Sequence, residues 1–329
     1  MKKLLALLLI AMMLLAAAAC EQLPAAAKTD AASESGEWVP NRPIELVACY
    51  APGGGHDILL RTMQKIIVDE NLSSASFNVV NKDGGSGSNG MAYVNGHKGD
   101  PYYLMCTTSS FTTTPLKTKL GFNYKNFTPI ALLGLDPSII VVRTDSGINS
   151  LDELLAVPDV SLGGTGVGTV DHIITLKLDA AKGVEINYIP YNGDGEQVTA
   201  LLGNQVTCLC CNYNTIAEYV ASGDFKCIAT FTPNRLNAAP DVPTAVEQGY
   251  DIIMSLYRGV CAPADITEAQ KQFYIDLMTK LNDTPAWKTD YLEKNGVEQN
   301  FLTGDDFAAF LDEMNVTFET VMREYGLIS

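Results

Sequence analysis

The chain has 329 residues, 47% of them hydrophobic, enough for one large domain or two ordinary ones with buried cores. Only 18% are charged, which leaves little room for long disordered arms outside the N-terminus. The formal net charge of -16 argues against nucleic acid, whose binding rests on basic surface, so any anionic ligand must be held by local groups.

Residues 1–19 have the pattern of an export signal: Lys2 and Lys3, then an uncharged apolar run up to Cys20. The run is too short for a comfortable membrane span. Ala17-Ala18-Ala19-Cys20 resembles a bacterial lipoprotein signal, in which the cysteine becomes the lipidated first residue, although Ala17 stands where such signals favour Leu. Removal of the signal lowers the formal charge by two. Residues 20–41 are rich in Ala, Ser and acidic side chains without apolar period, a flexible tether on which Trp38 is expected to pack against the body.

From Pro43 onward short apolar runs alternate with amphipathic stretches, the pattern of an α/β fold with mostly parallel strands. Strands are predicted over 44–49, 77–81, 102–107, 130–135, 139–143, 160–163, 186–189, 207–211, 225–231 and 257–262. Helices are predicted over 58–71, 87–95, 151–156, 169–181, 196–202, 216–222, 268–281, 286–295 and 306–325. In the first helix Leu59, Met63, Ile66 and Ile67 mark the inner face. Thr267-Glu268-Ala269-Gln270 is a capping box for the helix at 268. In the last helix Phe307, Leu311, Met314, Phe318 and Val321 alternate spacings of four and three, which suits packing on a core.

The organising stretch is Ala51-Pro52-Gly53-Gly54-Gly55-His56-Asp57, a glycine-rich turn between a buried strand and a helix. Glycine lets backbone approach a ligand, and a helix start offers unpaired N–H groups with a positive dipole end. Such a turn receives an anionic group, though a tight structural turn has the same composition. The phosphate loop fails because His56-Asp57-Ile58 replaces its Lys and hydroxyl. The dinucleotide fingerprint fails because Ile58 stands at its third glycine. Similar glycine-and-hydroxyl loops follow later strands, at 84–88, 107–110, 163–169 and 191–193. In open parallel sheets ligands bind beyond the carboxyl ends of strands, and loops so rich in N–H and hydroxyl donors suit a small anion.

Cys20 apart, the chain carries Cys49, Cys106, Cys208, Cys210, Cys211, Cys227 and Cys261. Seven cannot all pair, and most lie in apolar runs where a free thiol behaves as a small hydrophobe. Cys208-Leu209-Cys210-Cys211 lacks the second ligand pair of a zinc site, so neither a metal nor a cofactor is expected. Strand alternation puts Cys208 and Cys210 on one face and Cys211 on the other.

These loops, in this order, resemble the periplasmic solute receptors of tripartite tricarboxylate transporters, the Bug or TctC-like family. The resemblance covers about residues 42–329. It rests on Pro43-Ile44 through Pro52-Gly53-Gly54-Gly55-His56-Asp57; 81–87; 164–169 with His172; Ile189-Pro190-Tyr191-Asn192-Gly193; 202–206; Asp241-Val242-Pro243-Thr244 with Glu247 and Gly249; and Tyr257-Arg258-Gly259-Val260 with Ala262-Pro263. His56 departs from the family's usual small hydroxyl residue, and Cys49 and Tyr50 also differ from the commonest residues there.

The resemblance implies a two-lobed periplasmic binding protein fold (type II-like), each lobe a mostly parallel sheet flanked by helices. Residues 42–142 plus 258–329 would form one lobe and 143–257 the other. It further implies a small carboxylate (a di- or tricarboxylate or related carboxylate, the family's ligands including aromatic acids and some amino acids), held between the lobes and delivered to the membrane permease subunits of the transporter. The protein would be monomeric, extracytoplasmic, held to a bacterial membrane only by its lipid, and would do no chemistry. The candidate ligand contacts are Tyr50, Gly54, Gly55, His56 and Asp57; Ser86; Thr107, Thr108 and Ser109; Thr165, Gly166, Gly168 and Thr169; Tyr191, Asn192 and Gly193; Asn212; and Arg258. Asp57 has a second reading as a cap for its own loop, and Arg258 as a lobe-bridging salt bridge rather than a carboxylate clamp. A secreted enzyme using His56/Asp57 and Asp171/His172 for acid–base work is the alternative of a different class, and a receptor for another transporter class is a third. His97, in a Gly-rich loop, is expected to be solvated.

Overall fold

The structure, a computed structural model, describes residues 36–191 and 193–329. The expected signal, the lipidation at Cys20, most of the tether and Asn192 lie outside the described residues. Trp38 is buried, with its ring edge-on to Tyr102 and Phe273.

The chain is α/β and two-lobed, arranged around one long strand. The first half runs β1 (Ile44–Ala48), α1 (Gly55–Asp69), β2 (Phe77–Asn81), α2 (Ser88–Asn95), β3 (Tyr103–Thr107), α3 (Ser110–Lys117) and β4 (Phe127–Arg143). The second half follows as α4 (Leu151–Leu155), β5 (Ser161–Gly164), α5 (Val170–Lys182), β6 (Asn187–Pro190), α6 (Asp194–Leu202), β7 (Cys208–Asn212), α7 (Tyr213–Ser222) and β8 (Phe225–Thr230). The chain then returns through β9 (Ser255–Pro263), α8 (Glu268–Asn282), a π-helical turn (Trp287–Glu293), β10 (Leu302–Thr303) and α9 (Gly304–Glu324).

β4 belongs to both sheets. Up to Pro137 it pairs antiparallel with β9; from Ser138 it pairs with β7 and β8. Sequence patterning splits this strand in two around Asp136-Pro137. The structure keeps it whole because the ladder changes partner at Pro137, where a missing N–H is tolerated. The return crossing falls between Met254, whose N–H bonds Phe231, and Ser255, which pairs with Pro137. The sheets are mixed rather than mostly parallel. Parallel ladders join β2, β1 and β3 in one lobe and β6, β5 and β7 in the other, while every ladder of β4 and β9 is antiparallel. The reason is that the strands linking the lobes must run back against their neighbours.

In the first lobe the β1 side chains Ile44, Leu46 and Ala48 pack on Leu59, Leu60, Met63, Ile66 and Ile67 of α1. The expected inner face of that helix is thus fully covered. In the second lobe Cys208 and Cys210 join Ile140, Leu162 and Ile174 on one face, while Cys211 joins Val141, Val198 and Leu201 on the other. All seven described cysteines are free, and only Cys227 is not fully buried. The capping box at Thr267 forms: its hydroxyl accepts from Gln270 N–H and Gln270 returns the bond. α9 is long enough to serve both lobes. Phe307 and Leu311 pack with Val47 and Met105, while Phe318 and Met322 pack with Ile140 and Ile173. α3 was not foreseen, because Ser110-Phe111-Thr112-Thr113-Thr114-Pro115 has neither helical propensity nor apolar period. No described helix is long and apolar enough to cross a membrane.

Candidate functional site

The strands of both lobes aim their carboxyl ends at one cleft. There the chain turns into α1, α3, α5, α6 and α7, whose N-cap residues are Gly54, Ser109, Thr169, Gly193 and Asn212. All five line one cavity of about 560 Å³. None of the five helix starts is capped by its own N-cap side chain, whereas Ser150 and Thr267, away from the cleft, do cap theirs. At α1, α5, α6 and α7 the first-turn N–H groups and positive dipole ends therefore remain for another acceptor, while in α3 the Phe111 and Thr112 N–H groups already bond the Thr108 and Ser109 carbonyls. Volume alone does not single this cavity out: a recess at Asn41, Arg42 and Asp100 measures about 700 Å³. The convergence of helix starts does.

Of the sequence candidates, Tyr50, Gly54, Gly55, His56, Thr108, Ser109, Thr165, Thr169, Gly193, Asn212 and Arg258 line the cavity. Asp57, Ser86, Thr107, Gly166, Gly168 and Tyr191 do not. Asp57 sits behind the glycine turn, where its carboxylate accepts from Gly53 N–H at 3.0 Å and from Arg61 Nε at 2.9 Å. These bonds to Arg61 and Gly53 outweigh its burial and hold the Asp57 carboxyl below the usual range. This is the loop-capping role. Ser86, Gly166 and Gly168 lie where the lobes touch: a Cβ built on Gly166 would meet Ser86 Oγ at 3.3 Å, and one on Gly168 would meet Lys117 Nζ at 3.0 Å.

Arg258 is 4% exposed and donates from Nε to Asp136 at 2.6 Å. Asp136 in turn accepts from Asn212 Nδ2 at 2.8 Å. The network links β9, β4 and β7: the ion pair joins two neighbouring strands of the first lobe beside the crossing, and Asn212 carries it into the second. Burial pushes the Asp136 carboxyl up, against the pull of Arg258 and Asn212. Burial likewise opposes the Arg258 charge, but Asp136 outweighs it and raises the guanidinium above its ordinary value. A guanidinium does not lose its proton here, so Arg258 stays cationic. Arg258 also lies flat on Gly55: a Cβ there would fall 2.4 Å from Nη2. Gly55 is the close approach that lets the cation reach the turn.

His56 is 2% exposed. Its Nδ1 accepts from Cys49 N–H at 3.3 Å, so the proton of the neutral ring sits on Nε2. Burial and the nearby Arg258 push its pKa well down. Nε2 has no partner, nor does the Thr108 hydroxyl. Both are buried and both belong to cavity-lining residues. The second lobe repeats the pattern of a helix-start acid holding its loop. Asp171 accepts from Thr165 N–H at 3.0 Å and hydroxyl at 2.8 Å, and His172 Nδ1 accepts from Gly168 N–H at 3.1 Å. Burial pushes Asp171 up to about 6.

Sequence reasoning missed Asp136 and the acids Asp83, Asp194 and Glu196 of the wall. A lone acid inside the apolar run 130–143 was the available signal for Asp136. For Asp194 the available signal was its place immediately after the suspected loop at 191–193.

Residues 61–327 match the family model described as "Tripartite tricarboxylate transporter family receptor". Protein BugT of Bordetella pertussis is 29% identical over 311 residues, covering 90% of this chain and 93% of BugT. Among solved structures, the periplasmic binding protein BugD superposes with a TM-score of 0.79 at 26% identity, covering 88% of this chain and 99% of BugD. MatC from Rhodopseudomonas palustris with bound malate superposes with a TM-score of 0.75 at 21% identity, covering 86% and 99%.

Proposed function

The chain belongs to the tripartite tricarboxylate transporter receptor family, and on that premise we propose that it captures a small organic carboxylate in the cleft and hands it to the membrane permease subunits of such a transporter. The reading includes an extracytoplasmic, monomeric body of two lobes, tethered through a lipid on Cys20, with the expected bounds of 42–142 plus 258–329 and 143–257 moved to the strand crossings after Pro137 and after Met254. The observation that carries it is the meeting of five side-chain-free helix starts with Arg258 in one cavity. Charge-assisted hydrogen bonds from fixed amides grip a carboxylate without reorganising the protein. The buried donors of His56 and Thr108 supply two more contacts. MatC, of the same fold, is known with malate bound.

The structure also bears on the enzyme alternative. Asp57, Asp171 and His172 are taken up in holding their own loops, and His56 Nδ1 accepts from Cys49 N–H. Among the described residues His56 lines the cavity, while Asp57, Asp171 and His172 do not.

A thermal-shift screen of the purified protein against carboxylates and matched amines tests the proposal. At a hundredfold excess over Kd a true ligand stabilises by roughly 2.7 kcal/mol. Arg258→Ala should weaken that carboxylate at least tenfold. The proposal is wrong if no carboxylate shifts the transition, or if the amines shift it equally.

A further inference from the structure

The cavity wall is not uniformly receptive to negative charge. Among its described residues Arg258 is the one cation, and it is already paired with Asp136. Asp83, Asp194 and Glu196 line the same space. Asp194 is the informative one. It opens α6 in the second lobe, yet its Oδ2 reaches the glycine turn of the first: a Cβ built on Gly54 would lie 3.6 Å from it. Gln197 Nε2 donates to Oδ1 at 2.9 Å, and Thr215 also bonds the carboxylate. The group is part-buried, and burial pushes its carboxyl up although Arg258 pulls it down. On the same cavity wall, from the first lobe, are His56 and Thr108, 2% and 3% exposed, whose Nε2–H and hydroxyl have no partner.

The cleft thus has a donor wall and an acceptor. A dicarboxylate would bring two negative charges into a part-buried space whose cation is spoken for and whose far side is acidic. Like charges repel more strongly there than in water. A molecule with one carboxylate and one ammonium group adds no net charge, and gives each wall its complement.

We propose that Asp194 makes the cleft selective for amino-carboxylates, its carboxylate taking the ligand's ammonium while His56, Thr108 and the helix starts of the first lobe take the carboxylate. This rests on the receptor reading above and narrows it. A purely structural Asp194, favourable only because it sits at a positive helix end, would affect stability and leave ligand preference alone.

The test is calorimetric titration of the wild-type protein with five probes of equal chain length: pentanoate, glutarate, 5-aminopentanoate, 2-aminopentanoate and pentylamine. At least one amino-carboxylate should bind tenfold or more tightly than both glutarate and pentanoate. Asp194→Asn should remove at least tenfold of that preference while leaving pentanoate no weaker. Glutarate binding as tightly as both amino-carboxylates would overturn the proposal while leaving the receptor reading intact. So would an Asp194→Asn protein with an unaltered ratio. If that variant does not fold, the wild-type ranking decides alone. Binding of pentylamine as tight as that of 5-aminopentanoate, or no binding by any carboxylate, would defeat the receptor reading itself, and the narrower proposal with it.

Discussion

Gly55→Ala isolates the contact on which the cleft is built. Gly55 is the first residue of α1 and its φ is not in the left-handed region, so the backbone accepts alanine. On propensity alone the change would stabilise the helix, by up to about 1 kcal/mol. The obstacle is Arg258: the new methyl would stand 2.4 Å from Nη2, 2.9 Å from Cζ and 3.2 Å from Nη1. A guanidinium at the end of a flexible chain can usually swing aside. This one is buried and fastened to Asp136, itself 1% exposed. Moving it leaves a buried carboxylate without its partner, a change that typically costs about 3–5 kcal/mol. Set against the propensity gain, the net loss should be about 2–4 kcal/mol. Urea denaturation followed by both circular dichroism and tryptophan fluorescence measures it. A double-mutant cycle with Arg258→Ala supplies the decisive comparison, because there the methyl meets nothing from residue 258. The reasoning is refuted if Gly55→Ala is neutral in the wild-type background, or costs as much in the Arg258→Ala background.

Asp57→Ala should lose roughly 1–2 kcal/mol, the value of a cap, since Gly53 N–H and Arg61 lose their acceptor. Asp57→Asn should recover at least half of that in the same denaturation experiment, and an Asn variant no better than Ala would show that acceptance by the side chain is not what matters. Asp171 predicts a pH dependence of definite sign. Its carboxyl is raised to about 6 from an ordinary 3.8, so the folded chain keeps a proton that the unfolded chain has already released. That contribution is present at low pH and is lost as pH rises between those values, by roughly 3 kcal/mol in all. The stability difference between wild type and Asp171→Asn should therefore move against the wild type between pH 4 and pH 7, and a flat difference would contradict the assignment.

Most elements along the chain were legible in sequence because a local apolar period sets them; α3 and β10, which lack one, were not. The inner face of α1, the capping box at Thr267 and the two faces of the Cys208–Asn212 strand follow from neighbouring residues alone. So did the glycine turns, whose composition reports a chain reversal and an open helix start. What sequence did not show is which distant groups these turns bring together. Asp136 and Arg258 are 122 residues apart and meet because β4 and β9 are neighbouring strands. The continuity of β4 through Pro137 is likewise tertiary, since only a change of partner makes the missing N–H harmless. Asp57 and Asp194 make the point most directly. Both are acids in helix first turns beside glycine loops; one is turned back to hold its own turn, the other faces the opposite lobe. Local sequence determined that each helix begins there. Which way each carboxylate points was decided by the packing of one lobe on the other, because hydrogen-bond partners and desolvation are properties of the assembled cleft.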